Sequence, residues 1–291
     1  MRVTNMYLVD LAQQANAKNQ STVATLTQEV SSGLAVAQPS DNPTAWIEAQ
    51  RDKVRATIND GTGEALTSGL EKLTATDGAL SSLSQIVSQA QALAVEGSSA
   101  TVTGSAQADM AQQVNGLLQS ALQAVNAQDV DGSYLLSGTA VNTVPFESSG
   151  NYQGNATTTS INSSQTQTSQ DTISGSALGV GSGVNIIETI GDLATALTNS
   201  NTAGVQAALG NLNTAVSQLA TTRSQVGGMM ASLQSAQSAQ QTLSTSLTTS
   251  ISNYVDADAV QSASALAQAS TALQVSQSVT AKVLSLLTPA S

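Results

Sequence analysis

The chain contains no cysteine and no histidine. The first absence excludes disulfides, thiolate metal sites and cysteine nucleophiles. The second removes the commonest general base and the commonest metal ligand. Aromatic side chains are scarce, with one Trp, one Phe and four Tyr among 291 residues. The apolar inventory is therefore mostly Ala, Val and Leu, and small side chains bury little area each at about 25 cal/mol per Å². Slender helix pairs with close backbones suit it better than a thick core. Cations are few: eight Lys and Arg against nineteen Asp and Glu, a net charge of −11. Phosphate binding needs a basic face, so no nucleic-acid partner is expected, and an anionic membrane surface is disfavoured for the same reason. No apolar run approaches the ~20 residues of a membrane span, so no membrane insertion is expected. Residues 1–16 lack the apolar centre and small-residue cleavage site of a secretory signal. That leaves the cytoplasm, or an export route that reads no such signal.

What the sequence does have is helical periodicity. Leu209, Leu212, Val216, Leu219, Val226, Met230 and Leu233 fall in steps of three and four, with Arg223 between Leu219 and Val226. After a polar interval at Gln237 and Gln240 the stripe resumes at Leu243, Leu247, Ile251 and Tyr254. This heptad-like spacing predicts one face of a long helix. No proline interrupts it, so it can run about 70 Å at 1.5 Å per residue. Leu212, Val216, Leu219, Arg223, Val226, Met230 and Leu233 are the predicted rod core. Arg223 is expected to pack its stem and pair its guanidinium with a carboxylate across the helix pair, Glu64 and Glu71 being the candidates.

The N-terminal segment reads as a helix through Val3, Tyr7, Leu11, Val23, Leu26 and Val30, ended at Ser32-Gly33. A loop with Pro39, Ser40, Asp41, Asn42 and Pro43 follows. Ser40 or Asp41 is the predicted cap, and Pro43 fits a first helical turn, where its missing N–H costs nothing. The second helix carries Val54, Ile58, Gly61, Ala65, Leu73, Leu80, Leu83, Val87, Ala90 and Ala94. Its Gly61, Gly63 and Gly69 weaken it by roughly 1 kcal/mol each relative to Ala and leave room for a close neighbour. Gly97 to Gly104 is a break, and a third helix presents Ala111, Val114, Leu118, Ala121 and Val125. At Asp129 the pattern changes: Asp131-Gly132 and Ser137-Gly138 are turns, and Tyr134-Leu135-Leu136 suits a strand. Residues 140–184 are rich in Thr, Ser, Asn, Gln and Gly, either a small β-insertion or a loop region. Helical spacing returns at Ile186, Ile187, Ile190, Leu193 and Leu197. After Asp256-Ala-Asp258, a helix start, the last helix carries Val260, Leu266, Leu273, Val279, Val283, Leu286 and Leu287 before Pro289.

The expected fold is mainly α: an elongated antiparallel helical rod or coiled coil of N- and C-terminal segments, with a small β-rich insertion in the middle. Its expected parts are a terminal helix over 1–38, long rod helices and the start of a β-hairpin over 39–139, an outer insertion over 140–187, a returning rod helix over 188–254 and a second terminal helix over 255–291. Short Ala- and Ser-rich helices are marginal alone in water. Tyr7, Leu11, Val23, Leu26 and Val30, with Val260, Leu266, Leu273, Val279, Val283, Leu286 and Leu287, are thus the expected packing residues, against each other or neighbouring subunits.

Several stretches resemble the flagellin-related axial proteins, and within them the hook-associated proteins of the hook–filament junction. Ser32-Gly33 followed by Pro39-Ser40-Asp41-Asn42-Pro43 resembles their front signature, and Asp131-Gly132-Ser133-Tyr134, Gly138 and Pro145-Phe146 their middle one. Tyr152-Gln153-Gly154, Arg223-Ser224-Gln225-Val226-Gly227, Asp256-Ala-Asp258, Leu273-Gln274 and Ala281-Lys282-Val283 follow in family order. The tail departs from it, running Thr-Pro-Ala-Ser after Ser285-Leu286-Leu287. The resemblance implies a structural junction protein joining hook to filament, extracellular and exported without a cleavable signal through the flagellar type III apparatus. Pro39 to Pro43 would form a spoke between helical layers. Implied partners are hook-associated protein 1, flagellin, other copies of the chain in a ring, and an export chaperone. A divergent flagellin is the nearest alternative, and a secreted helical adhesin with residues 140–184 as its tip is one from another class.

No enzyme or cofactor is expected. Asp129, Asp131 and Gly132 echo a calcium loop, but its register puts Ala127 first and Gly138 last, where carboxylates are needed. Gly181-Ser-Gly183 is too short for a phosphate loop, and Asp256 with Asp258 lacks further ligands nearby, so no metal is expected. Ser68 with Lys72 and Ser278 with Lys282 are in helical reach, but packing explains them. Met229-Met230 reads as core filler, and Asn155-Ala-Thr157 and Asn162-Ser-Ser164 are weak sequons.

Overall fold

A computed structural model describes residues 2–99, 101–164, 167–179 and 183–287, with side chains described from 6 to 285. Gly181, Pro289 and the side chains of Leu286 and Leu287 lie outside the described residues. The protein is mainly α, as expected, with a small two-stranded sheet in the middle of the chain. In order come α1 (Arg2–Ser32), α2 (Pro43–Gly97), α3 (Gly104–Val125), β1 (Ser160–Asn162), β2 (Thr168–Gln170), a 3-10 turn (Gly175–Leu178), α4 (Ile186–Thr198), α5 (Thr202–Val255) and α6 (Ala259–Leu287). The chain divides into two compact units, one of residues 1–58 with 243–291, the other of residues 59–242.

In the second unit α2 and α5 run antiparallel. Asn59 Nδ2 donates to Gln240 O at 3.3 Å, Gln237 Nε2 to Thr67 Oγ1 at 3.3 Å, Arg223 to Asp77, and Gln91 Nε2 to Asn213 Oδ1 at 2.8 Å. Each step forward on one helix is thus a step back on the other. On α2 the buried positions include Leu66, Gly69, Leu73, Thr76, Leu80, Leu83, Val87, Ala90, Ala94 and Gly97, in strict steps of three and four. Gly69 is there for room: a Cβ at that position would stand 2.8 Å from Ile161 Cδ1. On α5 the seam is Val205, Ala208, Leu212, Ala215, Leu219, Thr222, Val226 and Leu233.

Four of the seven predicted core residues lie in that seam, and Val216 and Met230 pack against its side. Leu212, Leu219, Val226 and Leu233 are fully buried, but Val216, Arg223 and Met230 lie beside the seam, partly exposed. The alternate positions are one residue earlier, at Ala208, Ala215 and Thr222. Small residues there let the two backbones approach, and Thr222 satisfies its hydroxyl on Gln218 O, one turn back. Val54 and Ile58 of the predicted α2 stripe are also exposed. Arg223 pairs with Asp77, Nε to Oδ1 at 2.9 Å and Nη2 to Oδ2 at 3.2 Å, and not with Glu64 or Glu71. The register decides this: Glu71 lies about 9 Å away along the helix at 1.5 Å per residue.

The same unit holds α3 packed on α4, with Val114, Ala121, Val125, Ile186, Ile190, Leu193 and Leu197 in one core with the seam. The middle segment is organised by turns more than by strands. Tyr134-Leu135-Leu136 is not a strand: Tyr134 makes one bridge to Gln128, while Leu135 and Leu136 are buried. Positive φ at Gly132 and Gly138 reverses the chain on either side of this run and leaves no length for a ladder. β1 and β2 pair antiparallel, Ser160 opposite Gln170 and Asn162 opposite Thr168. Phe146 is buried with Tyr152, ring centroids 5.1 Å apart. The Tyr152 hydroxyl lies within 2.9–3.0 Å of Leu136 O, Asn155 O and Ser174 Oγ. Burial pushes its pKa up, so it stays a neutral donor.

Candidate assembly interface

In the first unit α1 packs on α6. The half-buried face of α1 is Val9, Ala12, Asn16, Asn19, Val23, Leu26 and Glu29; that of α6 includes Ser262, Leu266, Ala269, Leu273, Ser276, Thr280 and Val283. Both repeat in steps of three and four, the spacing of a coiled-coil seam. Much of the seam is polar. Asn16 Nδ2 donates to Thr280 Oγ1 at 2.8 Å and Ser262 Oγ to Glu29 Oε1 at 2.9 Å, while Asn16 Oδ1 is buried with no donor. Leu, Val and Ala at the remaining positions bury only part of their surface.

The predicted packing residues therefore divide. Val23, Leu26, Leu266, Leu273 and Val283 are half-buried on the faces that α1 and α6 turn to each other. Tyr7, Leu11, Val30, Val260 and Val279 stay exposed, and so do Met6, Leu8 and Val275. Hydrophobicity alone marked both groups; only the seam's register separates them.

The loop between α1 and α2 is held from several directions. Gly33, at φ +71°, turns the chain out of α1. Ala35 N and Val36 N both donate to Val255 O, at 2.8 and 3.2 Å, and Ala257 N donates to Gly33 O at 2.9 Å. A small core of Val36, Ala49 and Val255, with Trp46 and Ile251 packed on it, sits beneath. Pro43 opens α2 as predicted, but the cap is Asn42, whose Oδ1 accepts from Ala45 N at 3.1 Å. Asp41 instead ties the loop to itself: Oδ2 accepts from Ala37 N and Gln38 N at 3.0 Å, and Oδ1 from Gln38 Nε2 at 3.1 Å. Pro39 and Ser40 are exposed. At the other end, Asp258 caps α6 through Val260 N and Gln261 N, as the sequence predicted.

The hydrogen bonds from Gln38, then Ala37, hold the Asp41 carboxyl below its usual range. A depressed carboxyl stabilises the folded loop above its unfolded value, 3.8, and that contribution is lost as pH falls through the lower folded value. Acidification below pH about 4 is thus expected to loosen the loop. Trp46 fluorescence followed from pH 5 to 2 checks it: Asp41→Asn should flatten the response, and an unchanged curve would count against the assignment.

A groove of about 810 Å³ is lined by residues such as Thr168, Gln170, Ser174, Gln225 and Met229, and its lining holds no titratable side chain. Among the described residues no three Asp or Glu gather as metal ligands, and no helix is long and apolar enough to cross a membrane.

Long helices with heptad-like steps stand at both ends of the chain, with a turn-rich middle between them. Residues 4–141 match the bacterial flagellin N-terminal helical region. Its fold is shared with a chain assigned as a flagellar hook-associated protein from Vibrio parahaemolyticus (18% identity, TM-score 0.69, covering 74% of this chain and 100% of that one). It is shared also with FlgL from Xanthomonas campestris (15%, 0.60, 70% and 99%) and with flagellar hook-associated protein-3 from Legionella pneumophila (12%, 0.62, 70% and 98%). No curated protein sequence matches the chain.

Proposed function

We propose that this chain is a non-catalytic axial component of the bacterial flagellum, a hook-associated junction protein that joins hook to filament. The observation that carries this reading is a flagellin-type N-terminal region within a fold that covers hook-associated structures almost end to end. Its neighbours would be hook-associated protein 1 on one side, flagellin on the other and further copies of itself in a ring. An export chaperone would hold it before secretion without a cleavable signal, and it would work outside the cell. The terminal helices suit this, since their polar seam is weak enough to need outside partners and Tyr7, Leu11, Val30, Val260 and Val279 remain uncovered. Pro39 to Pro43 would serve as the spoke, stiffened by the Asp41 and Asn42 bonds.

Deleting the gene tests the reading. Loss of a junction protein should leave hooks without filaments and flagellin shed into the medium. Shortened filaments without excess shed monomer would favour the second reading, a divergent flagellin, which the flagellin-type N-terminal region itself suggests.

The terminal helices should also tolerate small sliding shifts, because residues 262–272 of α6 are mostly Ala and Ser. Ala263 and Ala267 are exposed, and Ala267 with Thr271 and Val275 lines a shallow groove on α6. Ala263→Leu with Ala267→Leu should therefore leave thermal stability within about 0.5 kcal/mol yet block assembly or stiffen the joint. Unchanged motility and filament attachment would sink this.

A further inference from the structure

We propose that Asn16 forms a half-satisfied polar layer in the α1–α6 seam, placed so that the two terminal helices can part when α1 takes an outside partner. The use of that release, though not the release itself, rests on the axial role proposed above. Asn16 Nδ2 donates to Thr280 Oγ1 at 2.8 Å. The Thr280 hydroxyl in turn donates to Ser276 O, one turn back on α6, at 2.8 Å. Thr280 therefore keeps a bond for its hydrogen with or without Asn16. Asn16 Oδ1 has no such provision: it is closed off from solvent, and no donor among the described residues reaches it. An amide oxygen taken out of water without a partner lowers stability by the full desolvation term of that group.

The residues around the pair show what the seam would otherwise be. Seven residues either side of Asn16 stand Val9 and Val23, and seven either side of Thr280 stand Leu273 and Leu287. Seven residues return a heptad seam to the same position. Each helix thus reads apolar, polar, apolar at that position, and the two polar residues meet each other. An apolar residue at both places would continue the repeat of either helix and bury more apolar surface. The layer also stands away from the fixed end of the pair. Gly33 O accepts from Ala257 N there, and Ala35 N and Val36 N donate to Val255 O. Asn16 is about 25 Å from Gly33 along α1 at 1.5 Å per residue. A single polar layer of this kind specifies how two helices pair while leaving them less stable than an apolar layer would, and it makes local opening easier.

Two substitutions with opposite expected signs test the layer. Asn16→Val removes the orphan oxygen, and Thr280 keeps its bond to Ser276 O. Thr280→Val leaves the whole Asn16 amide without a partner across the seam. In the purified full chain, amide hydrogen exchange over residues 9–26 should slow about tenfold in the first variant and quicken about tenfold in the second. Asn16→Val with Thr280→Val together should exchange more slowly than wild type, a non-additive result. Peptides from α3 and α4 should exchange as in wild type throughout. No slowing in Asn16→Val, or a double variant as fast as Thr280→Val, overturns the weak layer. In cells, the Asn16→Val chain should match wild type in whole-cell immunoblots yet fall several-fold in isolated flagella. An equal amount in flagella overturns the use of release in assembly and leaves the weak layer standing. Wild-type chain absent from flagella overturns the axial role, which hydrogen exchange in the purified chain does not touch.

Discussion

Gly138→Val is expected to unfold the middle of the chain and leave the terminal unit standing. Gly138 sits at φ +69°, where a β-branched residue is a true outlier. A Cβ there would also stand 2.3 Å from Asn155 O and 2.7 Å from Thr157 O, both backbone atoms that cannot swing away. The turn carries Ser137, whose carbonyl accepts from Asn155 N at 3.1 Å, and so fixes the Tyr152–Ser174 network. We expect a loss of about 4 kcal/mol or more, beyond the usual range for one substitution. Near-ultraviolet dichroism from Phe146 and Tyr152 should collapse and protease should cut within 140–178. Trp46, which packs in the small core of the other unit, should keep its emission. A variant with full aromatic dichroism and an unchanged midpoint would show that Gly138 is not needed where it stands.

The second large effect is expected at Leu193. Its side chain is fully buried where α4 meets α3, among Val114, Ile190 and Leu197. The neighbours come from two helices already in contact, so the site cannot collapse onto the space left. Leu193→Ala should cost about 2–5 kcal/mol, transfer and cavity terms together. Urea unfolding should show the tyrosine signal moving to lower denaturant while the Trp46 transition holds, because the units need not melt as one. A shift under about 0.5 kcal/mol would place the load-carrying contacts of this core elsewhere.

The exposed α2 edge and the polar α1–α6 seam describe two ways of leaving a helix unfinished. The seam gives each terminal helix one partner within the chain but little buried apolar area. The α2 edge leaves Ile47, Val54 and Ile58 more than half exposed. The proposed axial role needs surfaces of both kinds, stable enough to fold and incomplete until neighbours arrive.

Local chemistry was legible in the residues. Gly33 ends α1, Pro43 opens α2 and Asp258 caps α6, because each acts within about one turn of itself. The change of pattern at Asp129 and the mainly α class were equally visible. Choices among adjacent candidates were not. Asp41 and Asn42 are both good caps, and only the path of the loop gives Asn42 to Ala45 and Asp41 to Gln38. Tyr134-Leu135-Leu136 has strand composition, but the turns on either side decide that it forms a single bridge.

What the sequence by itself determined is therefore the helices, their ends and the likeness to flagellar axial proteins. Tertiary structure alone decided which of two neighbouring stripes became the core. Leu209, Val216 and Met230 have larger apolar side chains than Ala208 and Ala215, yet the smaller residues are buried, because close antiparallel backbones leave room only for them. The same register gave Arg223 to Asp77 and left Ile47, Val54 and Ile58 facing out. Hydrophobicity is a property of each residue, but which face is covered depends on where the second helix lies, and that position is set by all the contacts along the seam at once.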